Sequence, residues 1–226
     1  DAVHCVVDKK RTNMLLDEIN KQVKKGQTVI EAGIGTGIMS FSASLKGTMV
    51  YGFEINDSIY RLANKIKKFL IEKGIISNNI LFIRKDIKDI KSIEKADVII
   101  SENLYTGMFF EKQIEIISFL KRYLKDKGKF IPCGIKSFLF LCHIEPKDRL
   151  VKNKMYVVSE MHKKPVYFSN KYLYDDIKFN LALNSGVKKE VTVNVIRNGV
   201  INSILICSDV ILPSGKKINR FDTEFY

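Results

Sequence analysis

The chain has 226 residues, which suits one large domain or a large domain with a smaller one attached. Its hydrophobic content of 46% is enough for a buried core, and no apolar run approaches the ~20 residues of a membrane-spanning helix. The 38 Lys and Arg against 25 Asp and Glu give a formal charge of +13, which attracts anions such as nucleic acid, although the lysines are spread along the chain.

The cysteine pattern argues against a disulfide scaffold and against a zinc site. Cys5, Cys133, Cys142 and Cys207 form no Cys-x-x-Cys pair, and the histidines have no spacing suited to zinc. No signal peptide is recognisable at the start of the sequence. We therefore expect a cytoplasmic protein with free thiols, no metal and no membrane partner.

Strands and helices alternate over the first part of the chain. Apolar residues recur every four positions in residues 11–25, which predicts an N-terminal helix. The elements predicted after it are strand 28–32, helix 37–46, strand 48–54, helix 56–73, strand 80–84, strand 96–101, helix 110–125 and a strand from 129. This alternation predicts an α/β fold with a doubly wound, Rossmann-like sheet.

The pattern changes to strands alone in the second part. The strand-like segments are 137–144, 154–159, 176–183, 189–197 and 200–211. Asn198-Gly199 is typical of a hairpin turn, and Pro213-Ser214-Gly215 of another turn. We therefore expect a Rossmann-like cofactor-binding domain over residues 1–144 and a smaller all-β, barrel-like module over residues 145–226. No flexible linker separates them, so they should pack together.

A glycine loop follows the first predicted strand. Gly33, Gly35 and Gly37 are spaced Gly-x-Gly-x-Gly, between a buried strand and a helix. A dinucleotide site needs Gly-x-Gly-x-x-Gly, and Ile38 stands where the third glycine would be. Glu54 ends the next strand, where its carboxylate can accept hydrogen bonds from both hydroxyls of a ribose. These features favour S-adenosyl-L-methionine as the cofactor.

The end of the third strand carries a second acid. Asp86 is placed to accept a hydrogen bond from the adenine amine, and the backbone N–H of Ile87 can reach a ring nitrogen. Asp89 is a rival for the same role. The alternative is that Asp86 is a solvated acid among lysines.

Two glutamates flank the loop after the fourth strand. Ligands of open α/β sheets bind beyond the carboxyl ends of the strands, so this loop should form the floor of the acceptor site. Glu102 and Glu111 facing one pocket would hold a guanidinium, which presents a planar fork of donors. The alternative, equal on spacing alone, is that Glu111 only stabilises a helix N-terminus.

Several of these segments resemble the protein arginine methyltransferases. Residues 8–12 resemble that family's Asp-x-x-Arg-Thr segment, and residues 29–39 resemble its cofactor loop, with Glu31 where the family usually has Asp. Residues 101–111 match its two-glutamate loop in the spacing of the acids, and residues 191–212 resemble part of its β-barrel.

The resemblance implies methyl transfer to a protein arginine side chain, with Arg11 pairing with the cofactor carboxylate. Glu102 and Glu111 would be the catalytic residues. The cofactor set would be Arg11, Glu31, Gly33, Gly35, Gly37, Glu54, Asp86 and Ile87.

The sequence departs from the family at residues 104–106, which are Leu-Tyr-Thr instead of Met-Gly-Tyr, and no helical dimerisation arm or Thr-His-Trp loop is found. The oligomeric state is therefore left open. The positive charge favours an RNA methyltransferase as an alternative, and Glu31-Ala32-Gly33 also resembles the tRNA adenine-N1 methyltransferases. A small-molecule acceptor and a non-catalytic module are further alternatives.

Overall fold

The structure, a computed structural model, describes residues 6–104, 112–145, 164–183 and 190–219. The helices are α1 Lys9–Gln22, α2 Ile38–Ser44, α3 Asp57–Glu72 and α4 Gln113–Leu120, and short 3-10 turns follow at Ile87–Asp89 and Lys121–Tyr123. The strands are β1 Thr28–Ala32, β2 Met49–Glu54, β3 Ile80–Arg84, β4 Ala96–Ser101, β5 Leu124–Ile131, β6 Gly134–His143, β7 Val166–Tyr167, β8 Tyr172–Lys178, β9 Ser203–Ile211 and β10 Lys217–Ile218.

The first sheet is parallel, with the strand order β3-β2-β1-β4-β5. Its central strand β1 is buried along its whole length, as expected for a strand with sheet neighbours on both sides and helices on the faces. The strand order reverses between β1 and β4, so the loops after these two strands meet at the carboxyl edge of the sheet. The predicted doubly wound sheet is confirmed.

The second sheet is antiparallel, with the order β10-β9-β6-β7, and β8 pairs with the same edge of β6 as β7. The β6–β9 ladder runs from Gly134 opposite Ile211 to Cys142 opposite Ser203. This confirms an antiparallel module after the α/β sheet. The change of sheet lies at residues 132–133, because β6 pairs in the second sheet rather than the first. The change of sheet does not by itself define a domain boundary, so the domain division at 144/145 stays a prediction.

The two sheets share one apolar core. Ile135, Phe179 and Val210 from the second module belong to the same buried cluster as Ile99 and Ile131 of the first. A polar contact adds to this packing on α1. The buried Glu18 accepts hydrogen bonds from the backbone N–H (2.8 Å) and the hydroxyl (2.5 Å) of Ser214 in the β9–β10 turn. The expectation that the two parts pack together is confirmed.

Several predicted elements differ in the structure, including the strand predicted over 176–183, which is found as β8 at Tyr172–Lys178. The helix predicted over 110–125 ends as α-helix at Leu120, and the strand predicted from 129 begins earlier, at Leu124. The first half of β5 is charged and mostly exposed at the edge of the sheet. Asn198-Gly199 does not form a hairpin of paired strands. Among residues 190–202 the only β-pairing is a bridge from Val195 to Ser169. Residues 190–197, which were predicted to be part of a strand over 189–197, therefore form no strand.

The predicted strand 154–159 lies outside the described residues. Within the residues that the structure does describe, no helix has the length and apolar character needed to cross a membrane. In the same part of the chain, no group of His, Cys, Asp and Glu side chains is arranged to hold a metal ion.

Candidate cofactor and acceptor site

A cavity of about 650 Å³ lies at the carboxyl edge of the parallel sheet. Of the residues predicted to form the site, those that line it are Arg11, Glu31, Gly33, Gly35, Glu54, Asp86, Ile87 and Glu102. Gly37 lies outside its lining, and Glu111 lies outside the described residues. The structure therefore brings the predicted residues to one place, while their individual roles stay predictions.

The glycine loop turns sharply from β1 into α2. Gly33, Gly35 and Gly37 have φ angles of 77°, 53° and 86°, a region that side chains rarely adopt. The N–H of Gly33 donates to the Phe53 carbonyl at 2.9 Å, which fixes the loop to the end of β2. Gly37 is buried, and a Cβ there would lie 2.7 Å from Cζ of Phe41. Gly37 therefore packs against the core side of the loop, and Gly33 faces the cavity.

Glu54 is held at the cavity edge by backbone donors. Its Oε2 accepts from the N–H of Gly35 at 3.3 Å, and its Oε1 accepts from the N–H of Asn56 at 2.9 Å. The carboxylate ends β2 beside the glycine loop and lines the cavity. The link between Gly35 and Glu54 also ties the loop to the acid.

Asp86 and Ile87 border another side of the cavity. The Asp86 carboxylate accepts from the N–H of Lys88 at 2.9 Å and so caps the short 3-10 turn Ile87–Asp89. The Ile87 side chain is buried in the core. The rival Asp89 does not line the cavity. The structure therefore favours Asp86 over Asp89 as the acid that faces this space.

Glu31 is buried beneath the loop, where its side chain accepts a hydrogen bond from the Ser40 hydroxyl. Burial raises the pKa of Glu31 to about 8, and the nearby Glu54 charge adds to the rise, while the Ser40 hydrogen bonds oppose it. The side chain is therefore largely protonated at neutral pH. Sequence reasoning placed Glu31 in the site but missed this protonation, because burial depth is not visible in a single sequence.

Arg11 and Glu102 contact each other directly. The Arg11 guanidinium donates to the Glu102 carboxylate, and the two side chains are 3% and 8% exposed. Asp8 caps α1 by accepting from the Arg11 N–H at 3.1 Å, which sets the start of the helix. The sequence predicted these two side chains separately, one for the cofactor carboxylate and one for an acceptor guanidinium. In the structure, Glu102 binds a guanidinium that the chain itself supplies.

The hydrogen bonds that hold the backbone on both sides of Glu102 were not predicted from the sequence. Asn103 and Gln113 hydrogen-bond to each other and to the ends of β1 and β4. A polar Gln at the start of the apolar helix α4 was the available signal, since a buried amide needs partners.

This fold, with its cavity at the carboxyl edge of the parallel sheet, is typical of α/β domains that bind a ligand at that edge. A family model described as "Methyltransferase domain" matches residues 23–180. The chain belongs to this methyltransferase-domain family.

Two curated relatives are informative. An uncharacterized protein of Methanocaldococcus jannaschii is 28% identical over 178 residues, which cover 77% of this chain and 63% of the relative. Protein arginine N-methyltransferase 2 of Mus musculus is 28% identical over 175 residues, which cover 76% of this chain and 34% of the mouse protein. The chain thus spans about two thirds of the first relative and about a third of the second.

A solved structure shares the fold. The Trypanosoma brucei PRMT1 enzyme–prozyme heterotetrameric complex with AdoHcy matches with a TM-score of 0.78 and 17% identity, covering 95% of this chain and 74% of that one. The arrangement of a parallel sheet followed by an antiparallel module is therefore that of a protein arginine methyltransferase. The family resemblance seen in the sequence is confirmed.

Proposed function

We propose that the chain is an S-adenosyl-L-methionine-dependent methyltransferase whose acceptor is the side-chain nitrogen of a protein arginine. The observation that carries the acceptor assignment is the pairing of Glu102 with a guanidinium at the rim of the cofactor cavity. A carboxylate and a guanidinium match in both charge and geometry. A substrate arginine that reaches Glu102 would find the partner that Arg11 uses in the structure.

The residues present fit the cofactor. The cavity volume of about 650 Å³ is within the usual range for small-ligand sites. The exposed Gly33 permits close backbone approach, and the Glu54 carboxylate, which lines the cavity beside Gly35, would accept from the ribose hydroxyls. Asp86 would accept from the adenine amine, and Arg11 would pair with the cofactor carboxylate. When bound, the cofactor supplies a methyl group attached to a positively charged sulfur. After transfer, the rest of the cofactor is a neutral thioether.

The catalytic contribution of the chain is then mainly orientation. Glu102 would hold the guanidinium so that one nitrogen lies in line with the methyl group, and this alignment supplies much of the acceleration. The guanidinium nitrogen would form a bond to the methyl carbon as the bond from that carbon to sulfur breaks, and the proton that the nitrogen loses would pass to water. Glu111 is assigned the second carboxylate by the family resemblance. No metal is needed for this step.

A second candidate, RNA methylation, is supported by the cavity rim. Lys85, Lys88 and Lys112 all line the cavity, and the chain as a whole carries a charge of +13. Phosphate contacts through lysines predict binding that weakens steeply as salt rises. The charge of the rim is therefore the feature that this candidate would use and the arginine candidate would not.

The experiment is transfer of labelled methyl from S-adenosyl-L-methionine into a cell extract, divided between RNase and protease treatment. The proposal predicts label that survives RNase and is lost to protease. Label lost to RNase, with transfer falling steeply in salt, would support the second candidate instead. Glu102→Gln should abolish transfer while calorimetry still detects cofactor binding. Glu72→Gln, an exposed carboxylate on α3, is the matched control and should behave like the unaltered chain.

A further inference from the structure

We propose that Gln113 is a positioning residue for Glu102, and that Asn103 couples the same loop to the glycine loop. The inference rests on the proposed function, because it concerns how the acceptor carboxylate of that reaction is held. Neither side chain would touch the reacting atoms. Both act through the backbone on either side of Glu102.

Gln113 forms hydrogen bonds on both sides of Glu102. Its Nε2 donates to the carbonyl of Ser101 at 2.8 Å, and its Oε1 accepts from the N–H of Asn103 at 3.1 Å. The side chain is fully buried at the first position of α4, a helix whose other residues are mostly apolar. A buried amide is costly unless it is paired, and here both of its ends are used. The start of α4 is therefore fixed to the backbone around Glu102.

Asn103 extends this network to the cofactor side. Its Nδ2 donates to the carbonyl of Ala32 at 2.9 Å and to the hydroxyl of Ser101 at 3.3 Å. Its Oδ1 lies 2.5 Å from the place where a Cβ on Gly33 would stand. The Asn103 amide thus packs on the bare backbone of Gly33. The acceptor loop after β4 and the cofactor loop after β1 are joined by one side chain.

The consequence concerns the position of the Glu102 carboxylate. With Ser101 and Asn103 both fixed, the backbone at Glu102 has little freedom, and its carboxylate keeps a set distance from the glycine loop. A misplacement of about 1 Å at a reacting geometry can lower the rate about 100-fold. Loss of the Gln113 hydrogen bonds should therefore act on kcat far more than on cofactor affinity.

The test compares Gln113→Met, Gln113→Glu and a matched control, Gln22→Met. Gln22 also uses both ends of its amide, with its Nε2 donating to Glu18 at 2.8 Å and its Oε1 accepting from Lys129 at 2.6 Å, but it does not line the cavity. For each protein we would measure the thermal midpoint, the affinity for S-adenosyl-L-homocysteine, kcat and KM on a pool of arginine-containing peptides, and amide hydrogen exchange over residues 101–104.

We expect Gln113→Met to lower kcat about 10-fold to 100-fold, to change cofactor affinity little, and to speed amide exchange over residues 101–104. Gln22→Met should keep kcat and the exchange of that loop. The Gln113→Glu side chain keeps both hydrogen bonds only while it is protonated. Its kcat relative to the unaltered chain should therefore be restored at low pH and lost as pH rises through the pKa of the buried carboxyl group.

An unaltered kcat in Gln113→Met, or unaltered exchange over residues 101–104, would overturn the inference. So would an equal loss of kcat in Gln22→Met, because the effect would then follow from lost stability alone. An unaltered chain that binds the cofactor but methylates no arginine peptide would contradict the proposed function instead. In that case the exchange measurement alone decides whether Gln113 holds the loop.

Discussion

Replacing Glu31 with Gln should remove a large pH dependence from the stability of the protein. Glu31 is buried beneath the glycine loop, and its pKa is raised from 4.5 to about 8. Between these values the unfolded chain has released the proton and the folded chain still holds it. The free energy of unfolding therefore falls as pH rises through this window, and the contribution is constant above and below it. Gln does not titrate, so the variant lacks this contribution.

The magnitude follows from the raised pKa. Each pH unit inside the window changes the free energy of unfolding by about 1.4 kcal/mol, and the whole window from 4.5 to about 8 amounts to about 5 kcal/mol. Gln has nearly the same shape as the protonated acid and keeps an oxygen that accepts from the Ser40 hydroxyl. The two proteins should therefore be similar in stability near pH 5. By about pH 8 the variant should be the more stable by several kcal/mol.

Urea unfolding of both proteins at a series of pH values measures this difference directly. Titrating groups distant from Glu31 contribute equally to both chains, so they cancel when the two free energies are subtracted. Ser40→Ala is a useful companion variant, because it removes the hydroxyl hydrogen bond that lowers the pKa of Glu31 and keeps the backbone N–H, so the window should extend to higher pH. A difference between the unaltered chain and Glu31→Gln that stays constant from about pH 5 to about pH 8 would refute the reasoning.

Two further changes test the loop and the junction between the modules. Gly37→Ala should destabilise the fold by about 1–3 kcal/mol in urea unfolding, because φ is 86° and the new Cβ would lie 2.7 Å from Phe41. Gly74→Ala, with φ at 67° but open space around it, should cost less, and an equal cost would contradict the steric argument. Glu18→Ala should lower stability by about 1–3 kcal/mol, since it leaves the donors of Ser214 and Gln22 without their acceptor. Unchanged unfolding would mean that these hydrogen bonds contribute little.

Much of the α/β part could be predicted from the sequence, because its strands are short apolar runs with clear ends. Strands β1, β3 and β4 have the predicted bounds, and Asn56, the first residue of the predicted helix 56–73, caps α3 by accepting from the N–H of Ile59 at 3.1 Å. A glycine loop between such elements has few alternative structures. The acid that follows the next strand is then directed to the same edge of the sheet.

The second module was harder to predict because its strands are defined by partners rather than by their own pattern. In the parallel sheet, the edge strand β5 was also hard to predict, because it begins in charged, exposed residues that resemble the end of a helix. Asn198-Gly199 has the composition of a hairpin turn, but a Cβ on Gly199 would clash with the Phe168 ring. The glycine there allows close packing instead of a turn between paired strands.

The details of the site depend on contacts between distant residues. Arg11 and Glu102 are 91 positions apart, and the sequence suggested a different partner for each, so their contact with each other was not predicted. The amides of Asn103 and Gln113 have many potential partners until the fold places them together. The pKa of Glu31 depends on burial, which is a property of the packed structure.

The most direct test of the central claim is to identify the methylated atom. The purified chain would be incubated with labelled S-adenosyl-L-methionine and arginine-containing peptides, beside a matched pool in which lysine replaces each arginine, and the labelled products would be hydrolysed to free amino acids. The account predicts label in methylated arginine and none in the lysine pool. Glu102→Gln should bind the cofactor and transfer nothing. Label in another residue, or undiminished transfer by Glu102→Gln, would contradict it.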